Sequence, residues 1–323
     1  MIKQEILAFL QTNKNLLAFS YGSDSTTLFY LLHSQNIEFD LAFVNYKTRK
    51  ESDVEELEAK KLALEYNKQI FIKQAPVFES NFEHKARLFR YEFFEELCQK
   101  EGYTTLLMGH QLNDLFEWFL MQFSKGAGLA ELLGMKEVEQ RKNYTLIRPL
   151  LFTSKDEILF FLKQKKVLYF DDESNVDEKF LRNRIRKHYS NQFITQFSQG
   201  VQKSFCYLYR DFEKLYGSTE IKEIGGIVIC RNEESLLAKC IKKFGIVVSA
   251  KQRKELGKGD CVVSGKIAIV YKNQQAFIFK YEHCKKLPKA YKELYRKAQV
   301  PKLLRAYLYN HKLKPKNVFQ TPS

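Results

Sequence analysis

Apolar residues along the chain come in short blocks separated by longer stretches of mixed polarity. Leu16 to Phe19 is one such block and predicts a central parallel strand, buried on both faces. Ser20 to Ser25 form a tight, mostly small and polar connection. Leu28, Phe29, Leu31 and Leu32 then recur at helical spacing. The alternation continues with a strand over Phe39–Asn45, a charged amphipathic helix over Asp53–Asn67 and a strand over Gln69–Lys73. A long helix over Asn81–Lys100 follows, then a strand over Thr104–Met108, then Gly109-His110 and a helix to about Gln122. Strands alternating with helices predict an α/β, doubly wound parallel sheet with ligands at the carboxyl ends of the strands. Ser20 and His110 each follow a strand directly, so both belong on that edge.

Past this region the pattern changes. Lys155 to Leu162 predicts a short helix running on to Val167–Phe170, and a long polar stretch follows. Residues 190–217 are aromatic-rich and helical in pattern. From Gly225 short strand-like runs take over: GIVIC, GIVVSA, CVVSGKIAIVY and QAFIFK. The expected organisation is a nucleotide-handling domain over 1–187, a helical bridge over 188–217 and a smaller α+β domain over 218–323.

Length and charge narrow the function. The 323 residues suffice for two or three domains with their own cores. Lys and Arg number 53 against 38 Asp and Glu, a net +15 that points to a polyanionic partner, nucleic acid before membrane. Residues 281–323 hold eleven Lys/Arg against two acids, so this segment carries +9 of that excess. Its tyrosines, among them Tyr291, Tyr295, Tyr307 and Tyr309, either stack on bases or pack in a core. The six cysteines (98, 206, 230, 240, 261 and 284) form no CxxC pair and no zinc-spaced cluster, and read as reduced core thiols of a cytoplasmic protein. Neither a signal peptide nor a membrane-length apolar stretch is legible.

Strand, small-residue loop and helix together aim backbone N–H groups and a helix N-terminus at a phosphate. Gly22 allows close approach, Ser20, Ser23 and Ser25 offer hydroxyls, and Asp24 can cap the helix or help hold Mg²⁺. The loop is neither GxxxxGK[ST] nor GxGxxG. Taken alone it is equally an ordinary capped turn. In GHQLNDLFEWFL, His110, Asp114 and Glu117 fall on one helical face, while Leu112, Leu115, Phe116 and Phe119 point elsewhere. Such a face is either simply solvated or holds Mg²⁺ or a cationic substrate.

Ser20-Tyr21-Gly22-Ser23-Asp24-Ser25 resembles the SGGxDS pyrophosphate loop of the ATP-pyrophosphatases (the PP-loop superfamily), with Tyr21 at the first glycine position. Four further stretches, in order, resemble the tRNA(Ile)-lysidine synthetases of that superfamily. His110, Asp114 and Glu117 match HxxDxxE, continued by Lys125-Gly126-Ala127-Gly128 where the family has RGxG. Ala86-Arg87 and Arg90-Tyr91 match its AR…RY helix, and Arg148-Pro149-Leu150-Leu151 its RPLL. Asp172-Glu173-Ser174-Asn175 with Arg182-Asn183-Arg184-Ile185-Arg186 match DxSN…RNxIR. Where the family has HGLR, this chain has Tyr46-Lys47-Thr48-Arg49.

The resemblance implies an adenine nucleotide α-hydrolase-like fold and a two-step ligation. ATP, with Mg²⁺, would activate C2 of the wobble cytidine (position 34) of the CAU-anticodon isoleucine tRNA as an adenylate, releasing diphosphate. The ε-amine of free L-lysine would then displace AMP. It implies ATP binding by Ser20 to Ser25, Arg90 and His110, and lysine binding by Asp114, Glu117 and Arg182. Asp24, Asp114, Glu117 and Arg182 would serve catalysis, with Asp24 and Asp114 as Mg²⁺ ligands and 218–323 as the tRNA-binding domain. The target base leaves its stack most easily from an anticodon loop. Another PP-loop tRNA-modifying enzyme and a non-catalytic RNA-binding protein with a decayed ATP loop are the alternatives; a tRNA thiolase generally needs a cysteine pair that this spacing does not offer.

Overall fold

The computed structural model describes residues 1–47, 51–78, 80–170, 181–216, 221–246, 248–283 and 287–319. Thr48 and Arg49, the Asp172–Asn175 motif and Cys284 lie outside them. The chain divides into two compact units, Met1–Tyr209 and Arg210–Ser323.

In the first unit the elements run α1 (Gln4–Gln11), β1 (Asn15–Phe19), α2 (Ser23–Ser34), β2 (Phe39–Asn45), α3 (Glu51–Glu65), β3 (Ile70–Gln74), α4 (Phe82–Glu101) and β4 (Thr105–Leu107). They continue with α5 (Leu112–Phe123), α6 (Leu129–Leu132), β5 (Val138–Gln140), β6 (Thr145–Ile147), α7 (Lys155–Lys165), α8 (Leu181–Ile185) and α9 (Asn191–Tyr216), a helix kinked at Phe197 whose residues up to Tyr209 belong to this unit. A π-helical turn, Arg186–Ser190, joins α8 to α9.

The sheet order is β3-β2-β1-β4-β6-β5. All pairings are parallel except β5 with β6 at the edge. The central strands are apolar because both faces are covered. On one face Leu17, Leu41 and Leu107 pack with Leu28, Phe29 and Leu32 of α2 and with Ile158 and Leu162 of α7. On the other, Leu16, Ala42 and Leu106 meet Phe93, Phe94 and Leu97 of α4. From β1 the chain builds outward to β3, then returns to place β4 on the other side of β1. This reversal is the topological switch point, where the crevice at the carboxyl ends of the strands opens. Leu17 pairs with Leu107 in register, so the loops after β1 and β4 leave the sheet at one edge.

In the second unit the strands are β7 (Lys222–Ile224), β8 (Ile227–Arg231), β9 (Cys261–Val263), β10 (Ile267–Lys272) and β11 (Gln275–Lys280), antiparallel in the order β7-β8-β11-β10-β9. Alternating residues bury both faces. Val228, Ile269 and Ile278 face α10 (Glu234–Lys242) and Val248 and Leu256, which flank α11 (Ala250–Glu255). Ile229, Val270 and Phe277 face α12 (Lys289–Lys297), α13 (Lys302–Asn310) and α14 (Pro315–Phe319). The GIVVSA run departs from its strand-like reading. Its described residues form no strand, because Ser249 caps α11 by accepting from Gln252 N–H, while the Gln252 side chain accepts from Ser249 N–H.

Cys98, Cys206, Cys230, Cys240 and Cys261 carry free thiols; Cys98, Cys230 and Cys240 are core residues as expected, whereas Cys206 and Cys261 are only half-buried. Among the described residues no helix is long and apolar enough to cross a membrane.

Candidate active site

The loop after β1 is shaped by its serines. Ser25 Oγ donates to the Gly22 carbonyl (3.1 Å) and accepts from Ser20 N–H (3.3 Å), and the hydroxyls of Ser20 and Ser25 lie 3.3 Å apart. Gly22 caps α2, which leaves the first N–H groups of that helix without intrahelical carbonyl partners. The carboxyl end of β4 closes against this turn. A Cβ on Gly109 would stand 3.1 Å from the backbone carbon of Asp24 and from the nitrogen of Ser25. Only glycine fits there without moving backbone.

Tyr21 adopts the left-handed conformation, φ 59°, which the SGG pattern would give to glycine. Its ring is 4% exposed, against Phe19 (centroids 5.2 Å) and edge-on to Phe170 (5.3 Å). The Phe170 N–H donates to the Tyr21 carbonyl (3.0 Å). A left-handed residue costs about 1–2 kcal/mol, and ring burial offsets it. Burial also pushes the phenol up to about 12.

Asp24 lies in the first turn of α2, its Oδ1 2.7 Å from the ammonium of Lys155, which also reaches Ser23 Oγ at 2.5 Å. Burial raises the Asp24 carboxyl, Lys155 opposes that, and the Asp114 charge adds to it.

The sequence pattern places His110 on the face of α5. In the structure the helix starts later. Gln111 accepts from Asn113 N–H and donates its own N–H to Asp114 Oδ2 (3.1 Å), so the first helical residue is Leu112 and His110 stands before the cap. His110 Nδ1 accepts from Arg148 Nε at 3.3 Å, which leaves the ring proton on Nε2. Arg148 is buried and also donates to the Lys136 carbonyl (2.6 Å) and to Glu139 (3.3 Å). Burial lowers His110 to about 3, against the pull of Asp114, so the imidazole is neutral at physiological pH.

Asp114 and Glu117 do share a face, and two arginines meet them. Arg182 reaches Asp114 Oδ1 through Nη2 (2.5 Å) and Glu117 Oε2 through Nε (2.8 Å). Arg186 reaches Glu117 Oε1 through Nε (2.6 Å) and Oε2 through Nη2 (3.0 Å). Glu117 is 1% exposed. Burial pushes the Asp114 carboxyl up, but Arg182 and His110 draw it below its usual value. The Arg182 guanidinium is held more strongly protonated by the two carboxylates.

Arg90 lies on α4, close enough to bear on the protonation of His110 and of the half-buried Tyr46 phenol. Its Nε is buried with no hydrogen-bond partner among the described residues. Lys125 is exposed in the turn after α5.

The structure thus gathers Ser20 to Ser25, His110, Asp114, Glu117 and Arg182 at one sheet edge. It adds Lys155, Arg148 and Arg186, to which the sequence pattern assigns no place in the site. Arg186 had a signal, since it lies four residues after Arg182. Lys155 had a fainter one, a cation at a helix N-terminus.

A parallel sheet with a serine-rich phosphate loop at its switch point defines a PP-loop nucleotide enzyme, and the PP-loop domain family matches residues 1–193. The tRNA(Ile)-lysidine synthase of Campylobacter jejuni subsp. jejuni is 62% identical over 312 residues, covering 97% of each chain. The tRNA(Ile)-lysidine synthase of Helicobacter pylori is 40% identical over 311 residues, covering 94% of this chain and 91% of the relative. Among solved structures, the U34-tRNA thiolase NcsA of Methanococcus maripaludis superposes with a TM-score of 0.55 at 20% identity, covering 69% of this chain and 77% of that one. That likeness shows the fold alone. The chain belongs to the tRNA(Ile)-lysidine synthases. It is an ATP-dependent ligase.

Proposed function

We propose that this enzyme joins the ε-amine of free L-lysine to C2 of the wobble cytidine of the CAU-anticodon isoleucine tRNA. The base is first adenylated at its C2 oxygen, with release of diphosphate, and lysine then displaces AMP. The observation that carries this reading is the cluster of Asp114, Glu117, Arg182 and Arg186 beside the phosphate loop. Two carboxylates against two guanidiniums match an amino acid, whose α-ammonium seeks the acids and whose α-carboxylate seeks the forked donors.

The remaining roles follow from position. The N–H groups opening α2, with Ser20, Ser23 and Ser25, receive phosphate. Neutral His110 offers Nε2–H as a donor, and the unpartnered Nε of Arg90 offers another. Mg²⁺ typically takes one or two carboxylates and fills its shell with phosphate and water oxygens. Asp24 fits that role. Both oxygens of Asp114 are already engaged, by Arg182 and by Gln111 N–H. Among the described residues no group of three or more His, Cys, Asp or Glu could by itself hold a metal ion. Bound there, Mg²⁺ would neutralise phosphate charge.

The second unit supplies affinity for tRNA. Lys289, Lys292, Arg296, Lys302 and Arg305 line a cleft of about 670 Å³ with one acid, Glu293. Tyr295 and Tyr307 are core residues of this unit, so base stacking falls to exposed rings such as Tyr291.

The test is diphosphate release with ATP alone, with lysine, with tRNA and with both, beside incorporation of labelled lysine. Release should require tRNA, and incorporation should require all three. Release with ATP and lysine but no tRNA would overturn the proposed order.

A further inference from the structure

We propose that Lys155 is a catalytic residue of the adenylation step and holds the diphosphate leaving group, an assignment that rests on the ATP-binding reading above. Lys155 is the first residue of α7. A cation there opposes the partial positive charge of the helix N-terminus. Nothing local calls for it. Ser154 already caps α7, accepting from Glu157 N–H (3.3 Å) while Glu157 Oε2 accepts from Ser154 N–H (2.8 Å). A charge that breaks the local rule without local gain points to function.

The tertiary structure carries this ammonium to the phosphate loop. Lys155 Nζ donates to Ser23 Oγ at 2.5 Å and to Asp24 Oδ1 at 2.7 Å, and its side chain keeps about a third of its exposure. The backbone beneath it is fixed. Lys155 N–H donates to Asn113 Oδ1 (3.2 Å), and Leu112 N–H donates to the Thr153 carbonyl (2.9 Å), so the start of α7 is fastened to the start of α5. An ammonium and the N-terminus of α2 therefore converge on one spot, with Asp24 as the counter-charge beside them.

Such a spot suits a polyanion. In adenylation the C2 oxygen of the cytidine bonds to the α-phosphorus. The bond from that phosphorus to the α–β bridging oxygen breaks, and its electron pair leaves with diphosphate. Negative charge grows on the departing group, and a cation positioned beforehand stabilises that growth. An ammonium has three donors. With phosphate in place of Ser23 and Asp24 they turn to diphosphate oxygens, which would leave the Asp24 carboxylate free to hold Mg²⁺.

The experiment compares the full-length parent with Lys155→Met and Lys155→Arg, using tRNA, ATP and lysine. Lys155→Met should slow single-turnover diphosphate release about 100-fold while the KM for lysine stays within about twofold. Inhibition by added diphosphate should weaken about tenfold. Lys155→Arg should recover part of the rate, and the unfolding midpoint of Lys155→Met should stay near that of the parent. A parent-like rate and diphosphate inhibition in Lys155→Met overturns the proposal. A purely structural lysine, also contrary to it, would lower the unfolding midpoint and leave diphosphate inhibition unchanged. Failure of the ATP reading itself is separate, because the parent would then release no diphosphate.

Discussion

Arg186 grips Glu117 with two nitrogens, Nε at 2.6 Å and Nη2 at 3.0 Å, although Glu117 is 1% exposed and lies in the middle of a helix. A carboxylate buried this deeply is tolerable only when paired, and removing one partner of a buried pair typically costs about 3–5 kcal/mol. Glu117→Gln leaves the guanidiniums of Arg182 and Arg186 facing an amide. It should lower the unfolding free energy by about 3 kcal/mol and abolish lysine incorporation. Asp114→Asn, nearer the rim, should keep its cap and most of its stability while raising the KM for lysine. Urea unfolding with a labelled-lysine assay separates the two, and a Glu117→Gln protein as stable as the parent would contradict the pairing.

Tyr21→Gly exchanges backbone strain for poorer packing. Glycine relieves about 1–2 kcal/mol at φ 59°. Emptying a large aromatic site costs about 3–5 kcal/mol. The variant should be less stable by about 2 kcal/mol and still release diphosphate, because the loop backbone already has the glycine-type conformation. A variant as stable as the parent would show that ring burial contributes no more than the about 1–2 kcal/mol of strain it offsets.

Gly109→Ala sets a methyl group 3.1 Å from the backbone of Asp24 and Ser25. The first turn of α2 must shift, since backbone cannot rotate aside. The expected outcome is a KM for ATP raised about tenfold, with about 1–3 kcal/mol of stability lost to overpacking. Steady-state kinetics and thermal unfolding of the same preparation test it, and an unchanged KM would mean that the turn does not bind nucleotide.

His110 should make folding acid-sensitive. The unfolded chain takes up this proton as the pH falls through about 6.5. The folded protein does so only near 3. Between those values the unfolded state binds more protons, so stability falls as the pH falls and is complete above about 6.5. His110→Gln should flatten the slope between pH 6.5 and 4, as measured by urea unfolding across that range. Identical slopes in parent and variant would mean that the ring is not held neutral.

Lys289 and Lys292 on α12 line the basic cleft of the second unit. If they bind tRNA phosphate, replacing both by Ala weakens binding and reduces the slope of log affinity against log salt by about 0.7–0.9 for each phosphate no longer neutralised. Turnover at saturating tRNA should be unchanged. An unaltered salt slope in a filter-binding titration would place the tRNA elsewhere.

The order of strands and helices over the first unit was legible because apolar period and turn residues act locally. Leu16–Phe19 and the small-residue loop after it predict a strand and a bend whatever surrounds them. Asp114 and Glu117 were legible as a face because helical spacing alone aligns them. GIVVSA misled because an apolar run of that length does not distinguish a strand from a connection, and the Ser249 cap decided it.

By itself the sequence determined the α/β alternation, the phosphate-loop position and the basic carboxyl end, all set by neighbours within a few residues. The tertiary structure decided what no spacing records. It brought Lys155 to Asp24 across 131 positions and Arg186 to Glu117 across 69, and it turned the Arg148 side chain onto His110. It also decided that Tyr21 can stand in for a glycine, because Phe19 and Phe170 bury its ring. Ion pairs and ring packing of this kind depend on the parallel sheet returning the chain to one edge, and that return is a property of the whole unit.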